Sequence, residues 1–531
     1  MRERPVPQLA STTQLLGPSE HMFMALRRFT PTNVCRVIAI EGELSPRAVQ
    51  LALRHLQARH PLLRSHVVDA EVPYFVHGEA GAPQLHVVQR ENTQHWRRVL
   101  ERALNTPLTQ APGPLCEVHY VYGEGQRAAE LIVVAEHVIC DGISINQLCA
   151  ELLELCARPE VGMARPALPV LERMLPEHGL QARLLGFGAA LTTFARVSFG
   201  RALSGGRRCA ESSSYAYREL DPEQTRGLLE QARRHETTLT GILLAAVTQV
   251  LAERYPDERR YAISVPINLR SRLRGRALSA EDLGNYTSVA YLETRPNTDP
   301  WRLAALLKRK LDTIVASDRL LSAVSLIYRT GRLCLRPGRP PLAHAMLSNS
   351  GIVPLRRDYG AFRTLAFRSA TSAPMLSADS LLLLQYAARP SLHQSAVRRA
   401  GVVTQRGRAG ALGAGAQARC LRPPRRNRPM TRMTLDELIE RYDQDHQHPA
   451  NRALHMVGIT LIGSSVVLLV PAPPLAAALF VSGWAAQLVG HRIEGKPPSF
   501  TRDPRFMVVG AFWYARRVRE LSQRLAHART T

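Results

Sequence analysis

Residues 380–435 contain no aspartate or glutamate, while eleven arginines crowd in among alanine, glycine and proline. Such a stretch has too little apolar surface to offset the entropy of ordering it, so residues 393–432 read as a disordered basic linker. One hydrophobic core cannot run through it. The chain of 531 residues therefore has to fold as separate pieces on either side, and its length allows about three domains at roughly 150 residues each. The same composition also arises when GC-rich DNA is read out of frame. In that case two genes are joined here, with Met430 or Met433 as the natural start of the second; a flexible tether is the other reading.

The formal net charge of +25 invites a nucleic-acid partner, since basic surfaces attract phosphate. The charge is almost all arginine, however, with lysine only at Lys308, Lys310 and Lys496. No basic motif is interleaved with aromatic residues, so nucleic acid is not expected as a partner. The eight cysteines are scattered and form no Cys-x-x-Cys pair, which fits reduced thiols in the cytoplasm. Met1-Arg2-Glu3-Arg4-Pro5 has no apolar run after it of the kind a secretory signal needs. Residues 184–203 mix Leu, Phe and Ala with Arg196 and Arg201; they suit either a cover over a domain junction or a basic helix lying on a bilayer.

The chemistry-bearing motif lies at 136–142. An apolar run over 131–135 gives way to Glu136-His137-Val138-Ile139-Cys140-Asp141-Gly142, and a helix-like pattern follows over 143–155. A histidine and an aspartate thus sit where a strand becomes a turn, a common position for reactive groups on a rigid scaffold. A neutral imidazole serves as a general base near neutral pH. The aspartate, if it pairs with an arginine, shapes the loop that holds the imidazole. Gly142 allows the tight backbone needed to leave the strand. Cys140, with apolar neighbours, reads as a packed thiol.

Further motifs stand in a fixed order around this one: Ser19-Glu20-His21-Met22-Phe23, Ser264-Val265-Pro266-Ile267-Asn268-Leu269-Arg270, Leu283-Gly284-Asn285-Tyr286 and Leu347-Ser348-Asn349-Ser350-Gly351. The series resembles the condensation-domain acyltransferases, most closely their polyketide-associated, phthiocerol dimycocerosyl transferase-like branch. That family's signature usually reads His-His-x-x-x-Asp-Gly, and Glu136 replaces the first histidine here. The resemblance implies an α/β fold of two chloramphenicol acetyltransferase-like lobes, at 8–180 and 206–392, with a tunnel between them. It implies acyl transfer from a coenzyme A or carrier-protein thioester to an alcohol or amine, with no cofactor. His137 is then the base, Asp141 pairs with Arg270, and Gly142 and Asn285 support the site. Leu381-Leu382-Leu383-Leu384-Gln385-Tyr386 looks like the family's last strand, but the helix expected after it is replaced by arginine and glycine.

Residues 433–525 change character and read as a small all-α module. Two apolar runs, 456–470 and 475–489, flank Pro471-Ala472-Pro473-Pro474. Each is shorter than the about 20 residues of a membrane span, so the expectation is a helical hairpin in the membrane, its transmembrane helices tilted little or entering only part-way, with membrane association through 456–489. A buried soluble hairpin is the alternative. His446, His455, His491 and Glu494 offer imidazoles plus a carboxylate, a donor set that suits non-haem Fe(II). The stretches His446-Gln447-His448-Pro449-Ala450-Asn451-Arg452-Ala453-Leu454-His455 and Gly490-His491-Arg492-Ile493-Glu494-Gly495-Lys496-Pro497-Pro498-Ser499-Phe500 resemble small membrane proteins related to the yeast 2-hydroxy fatty acid dioxygenase. That resemblance implies Fe(II)- and O2-dependent shortening of a 2-hydroxy acyl chain, with the three histidines as ligands; relatives often carry asparagine in place of His448. Acyl transfer by the first half is the leading function. Dioxygenase activity with an impaired acyltransferase half, or a non-catalytic acyl binder, are the alternatives.

Overall fold

The structure, a computed structural model, describes residues 13–108, 113–123, 127–159, 164–177, 212–321 (except 259, 276, 298 and 319), 324, 328, 343–372, 380–387, 400–408, 435–468, 473–502 and 506–527. The 184–203 stretch lies outside the described residues. The chain divides into two compact units, Met1–Leu412 and Gly413–Thr531.

The first unit opens with β1 (Thr13–Leu15), α1 (Pro18–Arg27), β2 (Asn33–Gly42), α2 (Pro46–Arg59), β3 (Ser65–Val68), β4 (Tyr74–His77) and β5 (Gln84–Gln89). Next come α3 (His95–Asn105), β6 (Cys116–Tyr122), β7 (Ala128–Glu136) and α4 (Gly142–Ala157). Local chemistry sets these elements. The Ser45 hydroxyl accepts from Ala48 N at 3.1 Å, Pro46 occupies the first turn, and Val49, Ala52, Leu53 and Leu56 give α2 its buried face. Strand β7 is buried on both faces over its last six residues, as its unbroken apolar run requires.

Further elements are β8 (Ser212–Leu220), α5 (Pro222–Arg234), α6 (Leu239–Arg254), β9 (Tyr261–Asn268), β10 (Thr287–Thr294) and α7 (Pro300–Ala316). Strands β11 (Ala345–Val353), β12 (Phe362–Thr371), β13 (Ser380–Ala387) and β14 (Ala400–Arg408) complete the unit. The strands form three sheets, β1-β4-β3, β12-β2-β7-β6-β5 and β10-β9-β11-β13-β14-β8. A mixed α/β fold was expected and is found, with two departures from the expected lobes.

First, β12 belongs by sequence to the second lobe but pairs antiparallel with β2 of the first, with Thr371 opposite Val34 and Phe362 opposite Gly42. Without it, the buried strand β2 would present an unpaired edge. Second, β14 lies inside the stretch read as a structureless linker and pairs antiparallel with β13 on one side and β8 on the other. The composition of the whole stretch hid a local Val402-Val403-Thr404 core of β-branched residues. The rest of 393–432 lies outside the described residues. One apolar cluster joins the lobes: Val34, Ile38 and Leu131 with Ile145 and Leu148 of α4, and Leu244, Ile263 and Leu347 of the second lobe.

The second unit is all-α: α8 (Leu435–Asp445), α9 (Pro449–Leu468), α10 (Pro473–Glu494), α11 (Ser499–Arg502) and α12 (Phe506–His527). Helices α9 and α10 form the expected hairpin, crossing at Gly458 and Gly483. A Cβ on either glycine would lie 2.7 Å from the other's carbonyl oxygen, so only glycine permits this approach. Leu438 and Tyr442 of α8 pack with Phe506, Val509 and Trp513 of α12.

The expected hairpin in a membrane finds no support in the helix lengths. Among the described residues no helix is long and apolar enough to cross a membrane. One end of the hairpin carries Asn451, Arg452 and His455 on α9 and Gln487, His491, Arg492 and Glu494 on α10, leaving each helix an apolar stretch short of a span.

Candidate functional site

His137 is the first residue after β7. Its N–H donates to the Thr32 carbonyl at 2.9 Å, and its ring stacks on Phe23 of α1 with centroids 4.1 Å apart and planes 10° from parallel. The residue is half-buried, while its Nδ1 is buried without a hydrogen bond. Burial pushes the imidazole pKa down to about 4, with Asp141 pulling it up and Arg36 pushing it further down. The ring is therefore neutral at pH 7.

Asp141 is fully buried. It caps α4, accepting from Ile143 N at 3.1 Å and Ser144 N at 2.9 Å. Arg270, in the turn just after β9, grips both carboxylate oxygens, with Nη1 to Oδ2 at 2.8 Å and Nη2 to Oδ1 at 3.1 Å. Tyr286 N adds a fifth contact at 3.0 Å. Burial alone would raise this carboxyl, but Arg270 and the N–H donors outweigh it and hold it below the usual carboxylate range. Ser144, absent from the expected site, ties these parts together. Its hydroxyl accepts from Arg270 Nη2 at 2.7 Å and donates to the Gly284 carbonyl at 2.9 Å.

Glu136, standing where the related motif has histidine, is fully buried. It pairs with Arg27 Nε at 3.1 Å and accepts from Thr32 Oγ1 at 2.7 Å. It braces α1 against β7. Cys140 is also fully buried, its thiol pushed well up by burial and neighbouring acidic groups, which suits a packed thiol.

Gly142 acts otherwise than expected. Its backbone is not left-handed; what it provides is space. A Cβ there would lie 3.1 Å from Ser350 Oγ and 3.3 Å from Arg36 Nη2. Ser350 lies in β11, whose pairing with β13 is irregular between Asn349 and Ile352. The exposed Asn349 holds this bend, accepting from Gly351 N at 2.9 Å and donating to Thr240 Oγ1 at 3.0 Å. Asn285 is buried and accepts from Thr287 Oγ1 at 2.7 Å. Its loop meets Asp141 through backbone, with Gly284 O accepting from Asp141 N at 3.0 Å.

Arg36 is a site residue that sequence reasoning missed. The signal was present: a lone charge in the middle of the otherwise apolar Val34-Cys35-Arg36-Val37-Ile38. Charges in buried strands are rare unless partnered.

In the second unit the structure gathers His446, His455 and His491, all buried, with ligand atoms within 4.8 Å of one another. His446 Nδ1 donates to the Tyr442 carbonyl at 2.6 Å and His455 Nδ1 to the Asn451 carbonyl at 3.0 Å. Both Nε2 atoms are thus left as lone-pair donors. His446 Nε2 and His491 Nδ1 are buried without partners. Burial holds all three rings neutral, His455 down at about 3 and His491 at about 4. Three neutral imidazoles with unused nitrogens fit a divalent transition metal.

Glu494 is not brought into that cluster. It accepts from Gln447 N at 2.8 Å and from Asn451 Nδ2, pinning the end of α10 to the turn before α9. Beside His455 and His491 lies a cavity of about 140 Å³, walled by Tyr442, Ile459, Ile462, Trp484, Phe500 and Phe506.

Three family models match the chain: the condensation domain over residues 30–171, the phthiocerol/phthiodiolone dimycocerosyl transferase C-terminus over 210–408, and the 2-hydroxy-palmitic acid dioxygenase Mpo1-like family over 433–522. Solved structures of similar fold include polyketide synthase associated protein 5 from Mycobacterium tuberculosis, with TM-score 0.53 and 17% identity over 75% of this chain and 94% of that one. Another is the trichothecene 15-O-acetyltransferase of Fusarium sporotrichioides, with TM-score 0.57 and 11% identity over 74% and 91%. A third is the starter condensation domain of rhizomide synthetase, with TM-score 0.55 and 15% identity over 75% and 89%. A linear gramicidin synthase polypeptide of Brevibacillus parabrevis is 26% identical over 261 residues, 45% of this chain and only 5% of that much longer protein. The chain is thus similar to the condensation-domain acyltransferases over residues 30–171 and 210–408, and to the 2-hydroxy-palmitic acid dioxygenase Mpo1-like family over residues 433–522.

Proposed function

We propose that the first unit moves an acyl group from a coenzyme A or carrier-protein thioester to an alcohol or amine, with His137 as general base. The observation that carries this reading is a neutral imidazole at the end of β7, next to an aspartate locked onto Arg270 and so unavailable as a base. With Nδ1 buried, the base function falls to Nε2. It takes the acceptor's proton as the acceptor oxygen or nitrogen attacks the thioester carbonyl; the adduct collapses and expels the thiolate, which recovers the proton. A thioester donor is supported by the rhizomide synthetase starter domain, whose structure is described in complex with C8-CoA and Leu-SNAC. Oxygen as acceptor is supported by the 15-O-acetyltransferase of similar fold. Incubation of the purified chain with acyl-coenzyme A of graded length and a panel of alcohols and amines, following free thiol and product mass, tests the proposal. Transfer that persists undiminished in His137→Ala would falsify the role of His137.

A second activity is favoured by the histidine cluster. We infer that His446, His455 and His491 hold Fe(II), with the adjacent apolar cavity taking the alkyl chain next to the 2-hydroxy acid head. Bound there, Fe(II) supplies dioxygen chemistry; the chain's own residues hold the substrate and exclude water. Metal content after anaerobic loading, and O2 uptake with a 2-hydroxy fatty acid, test this reading. Both should vanish in His491→Ala.

A further inference from the structure

Arg36 lies in the middle of β2, 1% exposed. Its Nε donates to Asn146 Oδ1 at 2.6 Å, Nη1 to the Cys35 carbonyl at 2.9 Å and Nη2 to the Gly142 carbonyl at 3.1 Å. Gly142 and Asn146 are four residues apart, so this one guanidinium holds the first turn of α4 at both ends. None of the three acceptors is a carboxylate. Of the groups that act on Arg36, after burial and the thiols of Cys149, Cys140 and Cys35, the one carboxylate is that of Asp141, whose two oxygens are already engaged by Arg270. Arg36 and Arg270 are thus two buried arginines served by one carboxylate, that of Asp141, since the buried Asp282 pairs with Arg165 at 3.4 Å; the centre carries a net positive charge next to the histidine. Burying a guanidinium without a dedicated carboxylate is costly, and packing alone would have been met by an apolar residue.

We propose that Arg36 is a positioning residue of the acyl-transfer site, clamping the turn that carries His137 and Asp141 onto β2 and setting a fixed cation beside the imidazole. The proposal rests on the acyl-transfer reading given above. Its physical content is twofold. The fork fixes where α4 begins, and hence the 137–141 turn. The charge disfavours the imidazolium, keeping the base in its working form. The other charged groups around His137 leave this role open. Asp141 is taken by Arg270, and Glu136 is taken by Arg27 of α1 and points to Thr32. Cys140 stays an uncharged thiol, and the facing group from α1 is the Phe23 ring.

The test compares Arg36→Met and Arg36→Lys in the full chain, with two readouts. One is the pH dependence of kcat/KM; the other is direct NMR titration of the His137 ring. In Arg36→Met the His137 pKa and the acid limb should move upward by roughly half a unit or more. Its kcat should fall by up to about 10²-fold, with KM for the acyl donor little changed. Arg36→Lys keeps the charge but not the fork, so the limb should stay in place while kcat still falls. An unshifted limb and unshifted titration in folded Arg36→Met would overturn the electrostatic part. If Arg36→Met fails to fold, Arg36→Lys decides: full kcat in that variant overturns the clamp. Should the chain prove inactive toward every thioester, the acyl-transfer reading fails. The NMR titration then still decides whether Arg36 sets the charge state of His137.

Discussion

His137 and Asp141 are held in different charge states by their surroundings. The imidazole is kept neutral by burial, and the carboxylate is kept charged by Arg270, so each group holds one charge state across the neutral range. His137→Ala should lower kcat by about 10²- to 10⁴-fold, read from initial rates of thiol release. The pH profile follows from the same shift. With His137 as the proposed base, held down at about 4 by burial, kcat/KM should hold level down to about pH 5 and fall near 4. The stability contribution has the same sign. The unfolded imidazole takes up its proton first, so folding weakens as pH drops from about 6.5 towards 4. Asp141→Asn keeps an oxygen for the α4 cap but leaves Arg270 as an unpaired buried cation. It should cost about 3–5 kcal/mol, measured by urea denaturation.

At the scale of elements, α4 is the part that matters most. Its N-terminus is held from two sides, by Arg270 through Asp141 and by Arg36 through Gly142 and Asn146, while Ser350 of β11 closes the space over Gly142. Gly142→Ala puts a methyl group 3.1 Å from Ser350 Oγ and should push β11 and α4 apart. We expect a drop in kcat of up to about 10²-fold with little change in Tm. The motif order placed the elements that meet here, and Asp141–Arg270 was legible because both residues end recognisable motifs. Arg36 was not, since a strand's sequence does not say which helix its inward side chains will reach. In the second unit, Glu494 shares a helical face with His491 and so looked like a ligand. The fold turns it onto Gln447 and Asn451 instead. Glu494→Gln should accordingly retain Fe(II) after loading, whereas His455→Ala should lose it, as read by metal analysis.

For the whole molecule, each of the two units holds its own candidate site. The triple variant His446→Ala/His455→Ala/His491→Ala should therefore leave acyl transfer at the level of the unsubstituted chain, and His137→Ala should leave metal content unchanged; coupled losses would show that one site depends on the other. The sequence by itself determined the local matters. These are the strand-to-turn placement of His137, the starts of α2 and α4, the apolar helical hairpin of the second unit and the three histidines beside it, all set by neighbours a few residues away. Tertiary structure decided what depends on distant partners. It carried β12 across to the edge of β2 and ordered β14 within a stretch whose composition argued against it. It also brought Arg36 and Ser350 together over Gly142 and kept Glu494 from the histidines. The physical reason is common to all four. A strand edge, a buried charge or a gap the size of a methyl group is satisfied by whatever the fold brings to it, and that partner lies tens to hundreds of residues away in the chain.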